Sequence, residues 1–251
     1  MKYIQIVDDP KYSDIQQVIL SRPQVKNAFH PEMIAELTQY FKSVKNKKCI
    51  FLSGEGGAFC AGADLNWMKD MVQYSFDQNI KDSEKLWEMF DSILNCQAVV
   101  VGVAHGAVFG GGLGLLAVCD YVFAEEKTKF CFSEVKLGLS PAVISSFVLR
   151  KCNLGQARAL MLSAEVFHTE KAMQLGLVHQ NFSGVKSSLA EFSDLFSVSG
   201  TEALAATKKL LNQLEGSPSW AEQKSMTTKV ISERRISKEA QEKLKFFLDG
   251  K

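Results

Sequence analysis

The sequence predicts an α/β protein with a helical C-terminal region, and two observations lead to that class. In the first two-thirds of the 251 residues, short apolar runs of strand length alternate with segments whose apolar residues recur every three or four positions. From about residue 183 onward, the helical spacing continues almost without a strand-like run. Alternating strands and helices favour a layered core. We therefore expect a core over residues 1–182 and a helical region over residues 183–251.

The individual elements follow in chain order. Strands are predicted at residues 3–7, 15–20, 49–52, 98–103, 121–124, 129–132 and 177–178. Helices are predicted after His30, at 65–71, around 83–94, after the glycine run, from 141 onward and at 169–175. Pro31 suits the first position of a helix, and Gly176 suits the residue after a helix end. Residues 216–219, Gly-Ser-Pro-Ser, predict a break in the C-terminal region.

Composition narrows the class of protein. Apolar residues make up 46% of the chain, charged residues 23%, and the formal net charge is +1. This balance makes nucleic acid and anionic membranes poor candidates as partners. There is no signal-peptide pattern and no run of about 18 apolar residues, so we expect a cytoplasmic protein that does not enter a membrane. None of the six cysteines forms a Cys-x-x-Cys pair, and no metal site is predicted.

The segment with the most chemical information is the glycine run Gly110-Gly111-Gly112, between a strand-like run and an apolar helical run. Glycine allows a tight turn and a close approach of the backbone to a ligand. The first N–H groups of the following helix have no partner within the helix. Such a turn can bind an anion, or an oxygen that gains negative charge during a reaction. A plain packed turn between strand and helix explains the glycines equally well.

Two further segments add to this interpretation. The small residues from Gly57 to Leu65 follow the strand predicted at 49–52 and could direct a second backbone N–H at the same oxygen. Glu134 is a single carboxylate in a mostly apolar segment, where burial would raise its pKa towards use as a general acid and base. The alternative is an exposed glutamate at the end of a strand.

Taken together, these segments resemble the crotonase (enoyl-CoA hydratase/isomerase) superfamily. The resemblance rests on residues 58–65, 106–112, 119–120 and 132–141, on Arg22-Pro23 and Asn27-Ala28 near the start, and on residues 155–158 and 172–178. It covers nearly the whole chain in order and spacing. It implies a spiral of ββα turns that forms two sheets, with C-terminal helices that build homotrimers or hexamers. It also implies an acyl-CoA thioester as ligand, with coenzyme A as part of the substrate and no separate cofactor.

The resemblance also assigns roles to residues. By position, the N–H groups of Ala61 and Gly111 would form the oxyanion hole, and Glu134 would be the catalytic carboxylate. Residues expected to contact coenzyme A are Arg22, Lys26, Ala28, Ala63, Asp64 and Leu65. Residues expected to line the acyl pocket are Trp67, Met68, Gly114, Leu139 and Val143.

One position departs from the pattern of the hydratases in this family, which carry two glutamates. Gly114 stands where the first glutamate is expected, so Glu134 is the single carboxylate at a catalytic position. This combination is similar to bacterial 3-methylglutaconyl-CoA hydratases, whose substrate is branched at C3 and carries a distal carboxylate. The resemblance therefore implies syn hydration of 3-methylglutaconyl-CoA, or the reverse dehydration of 3-hydroxy-3-methylglutaryl-CoA. Gly114 is interpreted as room for the branched substrate or as a change in water placement.

Three alternatives stay open. The chain could dehydrate a hydroxymethylglutaryl thioester on a carrier protein, as in polyketide β-branching, or it could be an enoyl-CoA isomerase. It could also be a non-catalytic relative that binds RNA. The net charge of +1 gives no electrostatic footprint for RNA.

Overall fold

The computed structural model describes residues 1–183, 185–216 and 218–249. The strands are β1 Ile4–Asp8, β2 Ile15–Leu20, β3 Cys49–Gly54, β4 Val99–Ala104, β5 Ala107–Phe109, β6 Tyr121–Glu125, β7 Lys129–Cys131, β8 Phe167–His168 and β9 Gln180–Phe182. The first helices are α1 Pro31–Ser43, α2 Leu65–Met71, α3 Phe76–Leu94, α4 Gly111–Ala117, α5 Ala142–Lys151, α6 Leu154–Ser163 and α7 Thr169–Gln174. The C-terminal helices are α8 Val185–Ser197, α9 Thr201–Glu215, α10 Trp220–Ile236 and α11 Lys238–Asp249. Ser217, within the predicted break, lies outside the described residues.

A six-stranded sheet forms the centre of the fold, in the order β1-β2-β3-β4-β6-β9. β1 is antiparallel to β2, and the remaining neighbours are parallel. Every residue of β4 is buried. Parallel strands are normally covered on both faces, and this sheet follows that rule. One apolar cluster packs α1, α3 and α4 against one face, and a second packs Phe192 of α8 against the other.

A small second sheet, in the order β5-β7-β8, lies beside the glycine run. Two isolated bridges connect the preceding loops to each other and to this sheet, because Phe29 pairs with Ala63 and Cys60 pairs with Val108. Phe109 at the end of β5 leads directly into Gly110 and α4. These pairings bring the loop of residues 57–64 and the glycine run side by side, as the sequence predicted from their similar composition.

Several elements differ from the sequence-based prediction. Helix α3 begins at Phe76 rather than near residue 83, because Ser75 and Gln78 form a capping box at its start. Residues 177–178 are not a strand: the N–H groups of Leu177 and Val178 both donate to the Ala172 carbonyl, and the strand lies at β9 instead. The short strands β5 and β8 were not predicted.

The C-terminal helices complete the described chain. Residues 185–216 and 218–249 are helical apart from short connections, as predicted. Within the ranges that the structure describes, no helix is long and apolar enough to cross a membrane.

Candidate active site

The glycine run takes a shape that side chains would prevent. Gly110 has φ +49°, in the region that disfavours residues with a Cβ, and it caps α4. A Cβ on Gly111 would lie 2.6 Å from the Phe29 ring, and one on Gly112 would lie 2.5 Å from the Cys60 carbonyl oxygen. The close packing around these glycines directs the first N–H of α4 into a cavity. In the described chain, the Gly111 N–H has no acceptor.

The second free N–H belongs to Ala63, which corrects the prediction made for Ala61. The Ala61 N–H donates to the Lys26 carbonyl at 2.9 Å, so it is already engaged. Phe29 bonds to both neighbours of Ala63: its N–H donates to the Gly62 carbonyl, and its carbonyl accepts from Asp64 N–H, each at 2.7 Å. This parallel bridge turns the Ala63 N–H away from Phe29. No described residue accepts a hydrogen bond from it.

Glu134 begins a 3₁₀ turn, Glu134–Leu137, that follows β7. Its Oε2 atom is buried and has no hydrogen-bond partner among the described residues. Its Oε1 atom lies 3.2 Å from the position that a Cβ on Gly110 would take, so the carboxyl group is next to the glycine run. Burial raises the pKa of Glu134 above its usual value. A positioned carboxyl group of raised pKa can act as a general base and, once protonated, as a general acid.

These groups face one cavity of about 360 Å³. Nine of the residues predicted for the site line it: Ala61, Ala63, Leu65, Trp67, Met68, Gly111, Glu134, Leu139 and Val143. Several of the apolar lining residues, including Leu65 and Leu139, are exposed, so the mouth of the cavity is apolar. The described structure therefore brings together two free backbone N–H groups, one buried carboxylate and a mainly apolar pocket.

Arg22 and Asp64 were predicted to contact a ligand, and the structure pairs them with each other instead. The two side chains form a buried ion pair of 2.7 Å, and Arg22 also donates to the Ala28 carbonyl at 2.6 Å. Asp64 caps α2 by accepting from the Asn66 N–H. Burial alone would raise the pKa of Asp64, but the hydrogen bonds from Arg22 and Asn66 outweigh it and lower the pKa. Arg22 thus holds the loop of the site, and its guanidinium is not presented to solvent.

Lys26 and Ala28 also stand outside the described cavity lining. Lys26 has φ +54°, and its carbonyl accepts from Ala61. Its side chain is exposed. Ala28 is buried beside the Arg22 guanidinium.

Gly114 does not provide open room, and this interpretation is corrected. A Cβ at this position would lie 2.6 Å from Cγ2 of Ile144 and 2.7 Å from Cζ of Phe90. Gly114 is buried in α4, and the cavity wall next to it is formed by Ile144. The space of the missing glutamate is therefore filled by neighbouring apolar side chains.

Asp82 is a lining residue that the sequence analysis missed. It lies on α3 with Ser83 and Leu86, and all three line the cavity. Because the helix was predicted to begin near residue 83, Asp82 fell outside it. The spacing from Asp82 to Leu86 is one helical turn, and this was the available signal. Burial raises the pKa of Asp82, although the Lys85 charge and the Trp67 indole N–H partly offset the effect.

Comparison with known proteins agrees with this geometry. The model of the enoyl-CoA hydratase/isomerase family matches residues 10–249. The chain therefore belongs to the enoyl-CoA hydratase/isomerase family. The crystal structure of an enoyl-CoA hydratase from Shewanella pealeana is similar over 99% of this chain and 94% of its own, with a TM-score of 0.92 and 33% identity.

The curated relatives include proteins named as hydratases and a protein named as an isomerase. Enoyl-CoA hydratase AKT6-1 of Alternaria alternata is 34% identical over 166 residues, which are 65% of this chain and 54% of the relative. The match thus spans about half the length of that protein. The peroxisomal Delta(3,5)-Delta(2,4)-dienoyl-CoA isomerase of Arabidopsis thaliana is 31% identical over 202 residues, 75% of this chain and 72% of its own.

Proposed function

We propose that this chain is a hydro-lyase of the enoyl-CoA hydratase type, which adds water across the C2=C3 bond of a 2-enoyl-CoA thioester. One observation carries the proposal: the Glu134 carboxylate, whose Oε2 atom is buried and has no hydrogen-bond partner among the described residues, faces the same cavity as two backbone N–H groups that have no acceptor in the described chain. Family membership supports it, because proteins named enoyl-CoA hydratase are 33% and 34% identical to this chain where they match, and one of them shares its fold.

In this mechanism the thioester oxygen accepts hydrogen bonds from Ala63 and Gly111. Negative charge develops on that oxygen as an enolate forms, and each such donor typically stabilises the transition state by about 3–4 kcal/mol. Glu134 takes a proton from the attacking water and returns one to the α-carbon on the same face. A raised pKa makes the carboxylate a stronger base towards the attacking water, and the proton that Glu134 takes up is the one available for the α-carbon.

Coenzyme A would enter as part of the substrate, and no separate cofactor is needed for this chemistry. Ala63 and Leu65 line the cavity, and Lys26, whose carbonyl accepts from the Ala61 N–H of the same loop, has an exposed side chain. We infer that Lys26, rather than the buried Arg22, contributes to binding the phosphates.

A more specific hypothesis is that the acyl group of the substrate is 3-methylglutaconyl, as the resemblance implies. The acidic side chains of the cavity argue against this acyl group, because it carries a carboxylate of its own. Among the described lining residues there is no lysine or arginine to meet a distal carboxylate, and there are two acidic side chains, Glu134 and Asp82. The same objection applies to a hydroxymethylglutaryl group on a carrier protein. We therefore favour a 2-enoyl-CoA with an uncharged acyl group.

An enoyl-CoA isomerase is the second candidate. One carboxylate suffices to remove a proton from one carbon and return it to another, and among the described residues Glu134 is the carboxylate next to the glycine run. The Arabidopsis relative carries an isomerase name. A reaction with 3-enoyl-CoA separates the two, because an isomerase converts this ester to the 2-enoyl ester of the same mass, whereas a hydratase leaves the unconjugated ester unchanged and adds water only to 2-enoyl-CoA.

The test compares wild-type protein with Glu134→Gln on crotonyl-CoA, 3-methylglutaconyl-CoA and 3-hydroxy-3-methylglutaryl-CoA, together with the carrier-protein ester of the latter acyl group. We expect turnover of crotonyl-CoA to fall about 10²–10⁴-fold in the variant while binding of the ester persists. Glu126→Gln, at an exposed turn, is the control. Unchanged turnover in Glu134→Gln, or binding of RNA with a steep salt dependence in place of thioester binding, would overturn the proposal.

We also infer that the chain forms a homotrimer or hexamer through its C-terminal helices. Trp220, Ile236 and Phe246 are each more than 80% exposed on α10 and α11, and large apolar side chains left in water commonly mark an interface. Sedimentation equilibrium should give about three or six times the chain mass of 27.9 kDa. A mass of one chain at micromolar concentration would contradict this inference.

A further inference from the structure

Among the described residues, the cavity is lined by acidic but not by basic side chains, although the net charge of the whole chain is close to zero. Its described lining contains two ionisable side chains, Glu134 and Asp82, and both are acidic. Glu134 has the role given above. Asp82 has no role in the proposed reaction, and it enters the cavity from a different element.

The position of Asp82 is fixed by α3. The capping box of Ser75 and Gln78 defines the start of this helix, and its buried residues Met89 and Phe90 anchor its later turns in the core. On the face towards the cavity, Asp82 and Leu86 stand one turn apart. Trp67 of α2 faces Asp82 and also lines the cavity.

The two cations nearest to Asp82 along α3 lie outside the described lining of the cavity. Lys81, the adjacent residue, and Lys85, three residues further along α3, are both exposed, and neither is among the described lining residues. The Lys85 charge acts on Asp82 from outside the cavity, where it partly offsets the effect of burial on the pKa of Asp82. The indole of Trp67 is neutral, and its Nε1 atom makes no hydrogen bond of normal geometry. A negative charge brought into the cavity would therefore meet Asp82 without a compensating cation from the described lining.

We propose that Asp82 is a specificity-determining side chain that excludes acyl groups with a distal carboxylate and so selects thioesters with uncharged acyl chains. The proposal rests on the proposed function, because it concerns the acyl half of the same site. Like charges brought close together at a desolvated site are costly, and specificity often depends on such a repulsive element. Loss of the charge should widen the substrate range rather than stop the reaction.

The experiment measures binding of two saturated esters, hexanoyl-CoA and adipoyl-CoA, by isothermal titration calorimetry. The two acyl groups have the same number of carbon atoms and differ by the terminal carboxylate, and neither can be hydrated. Asp82→Asn should tighten binding of adipoyl-CoA by about 10-fold relative to hexanoyl-CoA, since the repulsion is removed. Asp82→Glu should keep the wild-type discrimination. Glu84→Gln, an exposed acid on the same helix, should also keep it.

The outcomes separate this proposal from the function on which it rests. If wild-type protein binds neither ester, the proposed function fails. If it binds hexanoyl-CoA and Asp82→Asn leaves the ratio of the two dissociation constants unchanged, the role of Asp82 is overturned and the function stands. An equal change in Glu84→Gln would also overturn it, because the effect would then be one of overall charge. Asp82→Ser gives the same test should Asp82→Asn fold poorly.

Kinetics provide an independent readout. In Asp82→Asn, the ratio of kcat/KM for glutaconyl-CoA to kcat/KM for crotonyl-CoA should rise about 10-fold, whereas Glu134→Gln loses turnover of both esters. Glutaconyl-CoA, an enoyl ester with a distal carboxylate, should gain in kcat/KM through a lower KM. A collapse of kcat for crotonyl-CoA in Asp82→Asn would show that the carboxylate acts in the reaction and would overturn the specificity role.

Discussion

At the scale of single residues, the site depends on which backbone N–H groups lack an acceptor. Ala61 and Ala63 lie two residues apart in one loop and line the same cavity. The Ala61 N–H is bonded to Lys26, and the Ala63 N–H is free in the described chain. Residue type does not distinguish the two positions, since both residues are alanine.

Replacing either alanine by lactic acid exchanges its N–H for an ester oxygen and leaves the side chain intact. At position 63 we expect turnover to fall about 10²–10³-fold with little change in the free energy of unfolding. At position 61 we expect the opposite: a loss of about 1 kcal/mol of stability from the broken bond to Lys26, and near-normal turnover. Steady-state kinetics measure turnover, and urea unfolding measures stability, in the two variants. A larger loss of turnover at position 61 than at position 63 would mean that the Ala61 N–H, and not the Ala63 N–H, binds the thioester oxygen.

The raised pKa of Glu134 leads to a second prediction, which concerns how the free energy of unfolding depends on pH. Burial raises its pKa in the folded protein, so the folded state binds a proton more tightly than the unfolded state does. This group therefore reduces stability as pH rises from the unfolded pKa through the raised folded pKa. Glu134→Gln should be more stable than wild type at pH 8, and the difference should disappear below about pH 4, where both states are protonated.

Urea unfolding at the two pH values measures this difference. Glu126→Gln at the exposed turn is the control for loss of one acidic surface group. A Glu134→Gln variant that is less stable than wild type at pH 8 would show that the carboxylate has a stabilising partner in the folded protein.

At the scale of elements, the turn into α4 shows why the glycines are needed. Gly110 combines φ +49° with a position where a Cβ would lie 3.2 Å from Oε1 of Glu134. Gly176 also has a positive φ, +86°, but a Cβ there would meet only the Lys151 carbonyl at an ordinary 3.5 Å. A side chain at either glycine would therefore strain the backbone, but only a side chain at Gly110 would also contact the Glu134 carboxyl group.

Alanine at each position tests this difference. Both Gly110→Ala and Gly176→Ala should lose about 1–3 kcal/mol of unfolding free energy from a strained backbone. Gly110→Ala should also lose activity, because the new methyl group displaces the Glu134 carboxyl group, while Gly176→Ala should keep kcat in its folded fraction. Equal retention of kcat by the two folded variants would argue against the contact with Glu134.

At the scale of the whole molecule, one buried ion pair links the C-terminal helices to the central sheet. Lys208 of α9 donates to Asp120 at 2.7 Å and to the Ala98 carbonyl at 3.0 Å. Asp120 in turn accepts from the Val100 N–H at the start of β4. The Lys208 side chain is 6% exposed, and that of Asp120 is 27% exposed. This network therefore joins a C-terminal helix to a strand of the central sheet.

Lys208→Met retains the apolar stem and removes the charge. We expect a loss of about 2–3 kcal/mol, somewhat below the ~3–5 kcal/mol typical of a fully buried pair, because Asp120 is partly exposed. Lys209→Met, next to it and exposed, should change stability by less than about 0.5 kcal/mol. Thermal and urea unfolding of the two variants give the comparison. An unchanged stability in Lys208→Met would mean that the helical region is held by its apolar contacts alone.

Much of this molecule could be predicted from local patterns. The strands at 15–20 and 49–52, the helix from Pro31 and the turn at the glycine run each follow from apolar spacing or from a residue with a special backbone preference. The start of α3 could have been predicted as well, from the Ser75–Gln78 capping box. Strands of two or three residues, such as β5 and β8, are too short to show an alternating pattern in the sequence. They form because they pair with β7 in the second sheet.

The sequence by itself determined the α/β class, the order of most elements, the two small-residue loops and the single carboxylate at the glycine run, since these depend on periodicity and residue type. Only the tertiary structure decided which N–H groups are free, that Arg22 is paired inside the protein, that Phe90 and Ile144 fill the space beside Gly114, and that Asp82 joins the cavity. The physical reason is that hydrogen-bond partners and packed volume come from residues distant in the chain, and no local pattern records which of them meet.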